Sequence, residues 1–220
     1  MVSLSELSRR RLLASAASLL AARAIPAHAV LALTPAQTEG PFYPLELPLD
    51  SDNDLAEVAG RSGRAAGTIL HLGGKVLDPE GRPVRGVALE IWQCDGFGVY
   101  HHPGAGGDPD LNFQGFGRTL ADDGGAYRFR TIVPVPYPGR TPHIHFKIAG
   151  PGFEPLTTQM YVRGHPQNGE DFIYRRLGAR ASLVTVDLVP APALEPGAKR
   201  GAMQALFEIV LGPDGTPRDG

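Results

Sequence analysis

One cysteine in 220 residues excludes an intrachain disulfide framework, a CxxC redox pair and a cysteine-built zinc site. Tryptophan also occurs once, and beyond the first thirty residues nothing approaches the 18 apolar residues of a membrane-spanning helix. Neither sign of charge dominates: 21 basic and 23 acidic residues give a formal net charge of −2, so no nucleic-acid partner is expected. The nucleophile elbow GxSxG, the phosphate loop GxxxxGK(S/T), the zincin HExxH and a strand-borne GxGxxG are all missing. Chemistry is left to histidine, tyrosine, carboxylates and arginine. What is abundant is glycine (28) and proline (21), beside a 42% hydrophobic fraction. That balance describes one loop-rich folded domain rather than disorder.

The N-terminus has a composition of its own. Ser8-Arg9-Arg10-Arg11-Leu12-Leu13 is a twin-arginine pattern, followed by an Ala-rich apolar run over 12–22 and an A-x-A site at Ala27-His28-Ala29. This order predicts an export signal over residues 1–29, too short to span a bilayer. The expected location is periplasmic or extracellular, by the twin-arginine route, with no membrane association after signal removal. The segment holds four of the 21 basic residues and one of the 23 acidic ones, so the remainder carries a formal charge of −5.

Residues 30–67 are rich in proline, glycine and acids without a period and read as an extended arm. Asp50-Ser51-Asp52-Asn53-Asp54 reads as a solvated turn, because the glycine and terminal glutamate of a calcium loop are missing. From 68 to 220 short apolar runs recur between turn signals, and seven strands are predicted at 68–77, 86–93, 126–132, 143–149, 156–162, 182–188 and 204–211. In 86–93, Val87, Leu89 and Ile91 share one face and Ala88, Glu90 and Trp92 the other. Only 170–179 looks helical. The expected fold is mostly β, an antiparallel two-sheet β-sandwich with long active-site loops at 94–120 and 133–142.

His143-Ile144-His145 lies on one of these strands. Residues i and i+2 of a strand point the same way, so both imidazoles project together while Ile144, Phe146 and Ile148 face the core. Two imidazoles on one face can bind one metal, and the residue that joins them decides which. A carboxylate would suit ferrous iron and a third histidine zinc. Two phenols would need a strongly Lewis-acidic cation to remove protons of pKa near 10, and ferric iron is hard enough.

Trp92-Gln93-Cys94-Asp95 with Tyr100, Gly117-Arg118-Thr119, Tyr127-Arg128-Phe129-Arg130-Thr131 and Tyr137-Pro138-Gly139-Arg140-Thr141-Pro142-His143-Ile144-His145-Phe146 are all present. Together they resemble the motifs of the intradiol ring-cleavage dioxygenases. Thr38-Glu39-Gly40-Pro41-Phe42-Tyr43 resembles the segment that precedes the family's catalytic sandwich. The resemblance implies a non-haem Fe(3+) dioxygenase that inserts both atoms of O2 into a catechol-type ring. The product would be a cis,cis-muconate-type dicarboxylate. Carried over by position, it implies iron ligands Tyr100, Tyr137, His143 and His145, with Tyr137 and His145 axial. Arg140 would lie beside the substrate ring, and Gln159 would match a second polar group near it. The loop from Tyr137 to Arg140 lacks the insertion of the protocatechuate enzymes, and the long helical N-terminal region of the catechol enzymes is absent.

The remaining side chains have plainer readings. Tyr127, Tyr161 and Trp92 read as core aromatics, His101 and His102 as loop rim, Cys94 as a buried thiol and Asp95 as a turn cap. The alternative to an enzyme is a secreted binding module, since 67–93 also resembles non-catalytic transthyretin-like sandwiches.

Overall fold

The structure is a computed structural model, and it describes residues 30–192 and 201–214. The export signal predicted at 1–29 lies outside the described residues. Among the described residues, ten strands and one short helix follow in chain order: β1 (Ile69–Leu77), β2 (Ala88–Trp92), β3 (Phe116–Leu120), β4 (Ala126–Ile132), β5 (His143–Gly150), β6 (Phe153–Val162), α1 (Phe172–Arg176), β7 (Thr185–Val186), β8 (Val189–Pro190), β9 (Met203–Leu206) and β10 (Ile209–Val210). Short 3-10 turns at Pro166–Gly169 and Gly178–Val184 flank the helix.

Two five-stranded sheets result. In one, β1 pairs with β4 on one edge and with β9 and β10 on the other, and β8 extends beyond β9. The second runs β3-β2-β5-β6-β7, with the histidine strand at its centre. Between the sheets lie Leu70, Leu72 and Val76 of β1, Leu89 and Ile91 of β2, and Ile144, Phe146 and Ile148 of β5. Each is essentially inaccessible, so the even positions of β5 face the core and His143 and His145 turn away from it. Apolar burial of this kind drives the packing of one sheet on the other.

The mostly-β sandwich agrees with expectation, but its sheets are mixed rather than purely antiparallel. β9 and β10 pair parallel to β1, and β7 pairs parallel to β6. The chain returns to these edges by long connections, not hairpins, and a crossover of that length permits parallel pairing. Two further strands were not expected. β3 lies inside the stretch read as a loop, because Phe-Gly-Arg-Thr-Leu has no clean alternation. β8 is only two residues long. The strand expected at 182–188 is a 3-10 turn giving way to β7, and that expected at 204–211 is divided between β9 and β10.

The arm packs on the sandwich. Leu55 and Ala56 are fully buried in the main core, and the Leu55 and Arg130 amides bond across to the Arg130 and Asn53 carbonyls. Further up the arm, the Gln37 amide donates to the Thr157 carbonyl.

At Gly74 of β1 the neighbouring Phe207 leaves no room for a side chain. A Cβ there would run into the Phe207 carbonyl, which already accepts the Tyr127 hydroxyl at 2.6 Å. Gly74→Ala is therefore expected to lower stability by about 1–3 kcal/mol, read as a lower urea midpoint at unchanged slope.

Candidate metal centre

Four elements bring the site together. Tyr100 follows β2 and is buried, whereas Tyr137 stands half-buried between β4 and β5. The Tyr137-Pro138-Gly139-Arg140 segment closes a turn, with the Arg140 amide on the Tyr137 carbonyl at 2.9 Å and Gly139 at φ 80°. Proline at the second turn position and glycine at a positive-φ third position suit a type II turn. That turn sets the Tyr137 and Arg140 side chains beside one another, with Arg140 Nη1 donating to the Tyr137 hydroxyl at 3.3 Å.

His143 and His145 enter from β5. The Thr141 carbonyl can only accept, so His143 Nδ1 carries the proton of their 2.7 Å bond and Nε2 presents a lone pair. His143 Nε2 lies 3.2 Å from His145 Nε2 and 3.5 Å from the Tyr100 hydroxyl. Donor atoms about 3 Å apart suit neighbouring positions around one cation held by bonds of about 2.1 Å. His145 Nδ1 is buried without a hydrogen-bond partner, and its ring stacks on Trp92 with centroids 4.7 Å apart and planes 9° apart.

Burial sets the protonation of this group. It pushes the Tyr100 phenol well above its ordinary pKa and raises Tyr137, for which nearby Arg140 acts in the opposite direction. Burial, joined by Arg140, pulls His143 down to about 3, and burial with the neighbouring His143 holds His145 well below the usual imidazole range. At neutral pH both imidazoles are uncharged, the form in which they could ligate a metal, and the phenols hold protons that only a strong Lewis acid would displace. Among the described residues no group of three His, Cys, Asp or Glu converges, so neither a three-histidine zinc site nor a two-histidine carboxylate site is assembled.

Arg140 is fastened on three sides. Its Nε donates to Asp171 at 2.8 Å, Nη2 to Gln159 Oε1 at 2.6 Å and Nη1 to Tyr137. Gln159 sits opposite His145 in the β5–β6 register. Its oxygen also accepts the Tyr161 hydroxyl at 3.0 Å, and its nitrogen donates to the Thr38 carbonyl at 2.9 Å. The six residues Tyr100, Tyr137, Arg140, His143, His145 and Gln159 thus form one contiguous cluster.

Most of the chain also resembles known proteins. A family model described as Dioxygenase matches residues 38–213, most of the chain. The chain belongs to the intradiol dioxygenase family. The protocatechuate 3,4-dioxygenase beta chain of Burkholderia cepacia is 37% identical over 187 residues, covering 76% of this chain and 75% of that protein. The hydroxyquinol 1,2-dioxygenase of Corynebacterium glutamicum is 33% identical over 204 residues, 82% of this chain but only 64% of its own length. Among solved structures, the dioxygenase domain of a carbohydrate-binding fusion from Streptomyces sp. SirexAA-E superposes with a TM-score of 0.64 at 30% identity. The alignment covers 82% of this chain and 99% of that domain.

In this intradiol dioxygenase the other singled-out residues separate clearly. His101 and His102 stay outside the cluster, bonded to the Asp110 carbonyl and the Gly104 amide. Asp95 caps its turn through the Phe97 and Val99 amides, and Asp52 and Asp54 accept amides two residues on. Cys94 is buried, and burial pushes its thiol up to about 12, leaving it inert.

Trp92 and Tyr161 are buried, as core aromatics should be, yet both belong to the site. Trp92 sits opposite His145 in the β2–β5 register, and its place on the face away from Leu89 and Ile91 carried that information in the sequence. The arm supplies what the spacing of residues did not: Phe42 stacks on Tyr100 at 4.7 Å, Tyr43 meets Trp92 edge-on at 5.0 Å, and Gln37 donates to the Tyr161 hydroxyl at 2.8 Å. Asp171 had no local signal, because its contact with Arg140 spans 31 residues.

Proposed function

We propose that this chain is a ferric-iron enzyme that opens a catechol-type ring between its two hydroxyl-bearing carbons. Both atoms of O2 enter the product, a cis,cis-muconate-type dicarboxylate, and no external reductant is needed. The observation that carries this reading is the convergence of His143 Nε2, His145 Nε2 and the Tyr100 hydroxyl, with Tyr137 beside them. Tyr100, Tyr137, His143 and His145 would hold the iron, and two phenolates with one hydroxide would balance its charge of +3. When bound, ferric iron supplies the Lewis acidity that deprotonates phenols and draws electron density from a chelated catecholate.

The chain's own groups then have separate tasks. Tyr137 Oη, on the more open side of the cluster and hydrogen-bonded to Arg140, is placed to take a proton from a substrate hydroxyl. Of the five N–H donors of a guanidinium, the three bonds above leave two on Arg140 for negative charge developing on the ring. Gln159 holds Nη2 in place, and Trp92 and Phe42 keep water from the imidazole and phenol faces. A non-catalytic sandwich offers no reason to bury two neutral imidazoles against two phenols.

The test is optical and enzymatic together. Iron-loaded protein should be red-brown from phenolate-to-iron charge transfer, consume O2 with a catechol, and have that band shifted or bleached in Tyr137→Phe. Colourless protein with stoichiometric zinc, or with no affinity for iron, would overturn the reading.

We further propose export by the twin-arginine route, on the strength of Arg9-Arg10-Arg11 and Ala27-His28-Ala29. The expected result is that changing Arg9 and Arg10 together to lysine retains the protein in the cytoplasmic fraction. Equal export of that variant would dismiss the proposal.

A further inference from the structure

We propose that Asp171 is a positioning residue for the ring-cleavage reaction, one that fixes the guanidinium of Arg140 by its Nε edge. The proposal rests on the reading of Arg140 as the group beside the substrate ring. Asp171 touches none of the four tyrosine and histidine donors. Its side-chain hydrogen bonds go to Arg140, Thr141, Ile173 and Tyr174, so the positioning it exerts on the site passes through its neighbours.

The carboxylate is fully committed. Oδ2 accepts Arg140 Nε at 2.8 Å and the Thr141 amide at 3.0 Å. Oδ1 accepts the Ile173 and Tyr174 amides at 2.8 and 3.0 Å, capping α1. Four donors on two oxygens leave the group one orientation, and its side chain has no solvent exposure while that of Arg140 has 14%. A buried carboxylate without such partners would be strongly unfavourable, so the cap and the guanidinium each depend on the other.

The restraint reaches the active site by geometry. A guanidinium is a rigid planar fork, so fixing Nε leaves only the direction in which Nη1 and Nη2 point, here Tyr137 and Gln159. The same carboxylate holds the Thr141 amide, while the Thr141 hydroxyl bonds to Asn168 at 2.7 Å and its carbonyl takes the His143 Nδ1 proton. The 166–171 turn is in this way bolted to residues 140–141. A long side chain that is already fixed loses little freedom when substrate arrives, which is the physical advantage of preorganisation.

A cap alone would also explain a buried aspartate before a helix, and two substitutions separate the ideas. Serine is a good cap, but its single short oxygen cannot serve α1 and Arg140 together. Asparagine keeps one oxygen for the cap and turns an NH2 group towards two donors. Asp171→Ser and Asp171→Asn, loaded with iron in the full chain, should retain wild-type iron content and phenolate absorption. Their kcat should fall about 10- to 100-fold with a smaller change in KM. In an Arg140→Met background, Asp171→Ser should cost several-fold less in kcat than in the wild-type background, because only its tie to Thr141 then remains. Retention of kcat within about twofold by Asp171→Ser, or an equal loss in both backgrounds, would overturn the proposal.

One measurement stands apart from turnover. In 15N spectra of the metal-free wild type, the Arg140 Nε–H should give a single, slowly exchanging, downfield resonance that Asp171→Ser or Asp171→Asn abolishes. A solvent-averaged Arg140 signal in the wild type would defeat the proposal even if ring cleavage is observed. Conversely, a protected Nε–H in a protein that opens no catechol would sink the ring-cleavage reading and leave the restraint on Arg140 standing.

Discussion

His143→Ala should abolish both iron retention and ring cleavage. Removing a group that only supports a ligand costs about 10- to 100-fold in metal affinity or activity, and loss of a ligand should exceed that. His143 is central in the literal sense: its Nε2 is within 3.5 Å of both His145 Nε2 and the Tyr100 hydroxyl. Its tautomer is set by Thr141, so the lone pair faces the cluster before any cation arrives. The His145 ring, already without a partner at Nδ1, would face a vacated space in place of a second imidazole. Metal analysis after dialysis, with O2 uptake on the same sample, checks the prediction. A variant that keeps one iron per chain and the wild-type band would remove His143 from the ligand set.

Arg140→Met should lower kcat by about 10²–10³-fold, the range seen when a preorganised donor to developing negative charge is removed. It should also destabilise the chain, and by more than an ordinary surface arginine would. The Asp171 carboxylate stays behind, buried, with its positively charged partner gone, a loss of about 3–5 kcal/mol in comparable buried pairs. The pH dependence gives the sign. Burial by itself pushes the Asp171 carboxyl up, but the Tyr174 amide, the Arg140 guanidinium and the Thr141 amide together hold it below the usual range. That depression contributes stability which is present above the unfolded carboxyl pKa of about 3.9 and lost as pH falls through the lower folded value. Without Arg140 the folded value rises, so acid unfolding should begin at higher pH in the variant. Arg140→Lys should recover little activity, because an ammonium cannot reach Asp171, Gln159 and Tyr137 at fixed angles. Urea titrations at several pH values, run beside initial rates, separate the stability effect from the catalytic one.

Much of the centre could be read from residue order because its parts are local. His143-Ile144-His145 needs only the period of a strand, and Tyr137-Pro138-Gly139-Arg140 needs only turn chemistry. The even positions of β5 pack into the core for the same reason that His143 and His145 point to the opposite face. What escaped prediction joins distant parts of the chain. The Asp171–Arg140 pair, the Phe42–Tyr100 stack and the Gln37–Tyr161 bond leave no periodic trace, since each side chain would look ordinary in isolation. Sheet hand-offs failed similarly: nothing within Met203–Leu206 says that it will run parallel to β1 rather than against it. β3 was hidden by Gly117 and Arg118, which break the alternation that marks a half-buried strand.

The contact between Trp92 and His145 has one more consequence. Trp92 is the chain's only indole, it is buried, and it lies parallel to an imidazole of the candidate centre. Its fluorescence is therefore a built-in reporter on that centre. Protonation of His145, arrival of a quenching paramagnetic ion or displacement of the ring would each alter one emission band, and no second tryptophan dilutes it. The protein carries its own dye, attached at the place where an experimenter would have chosen to put one.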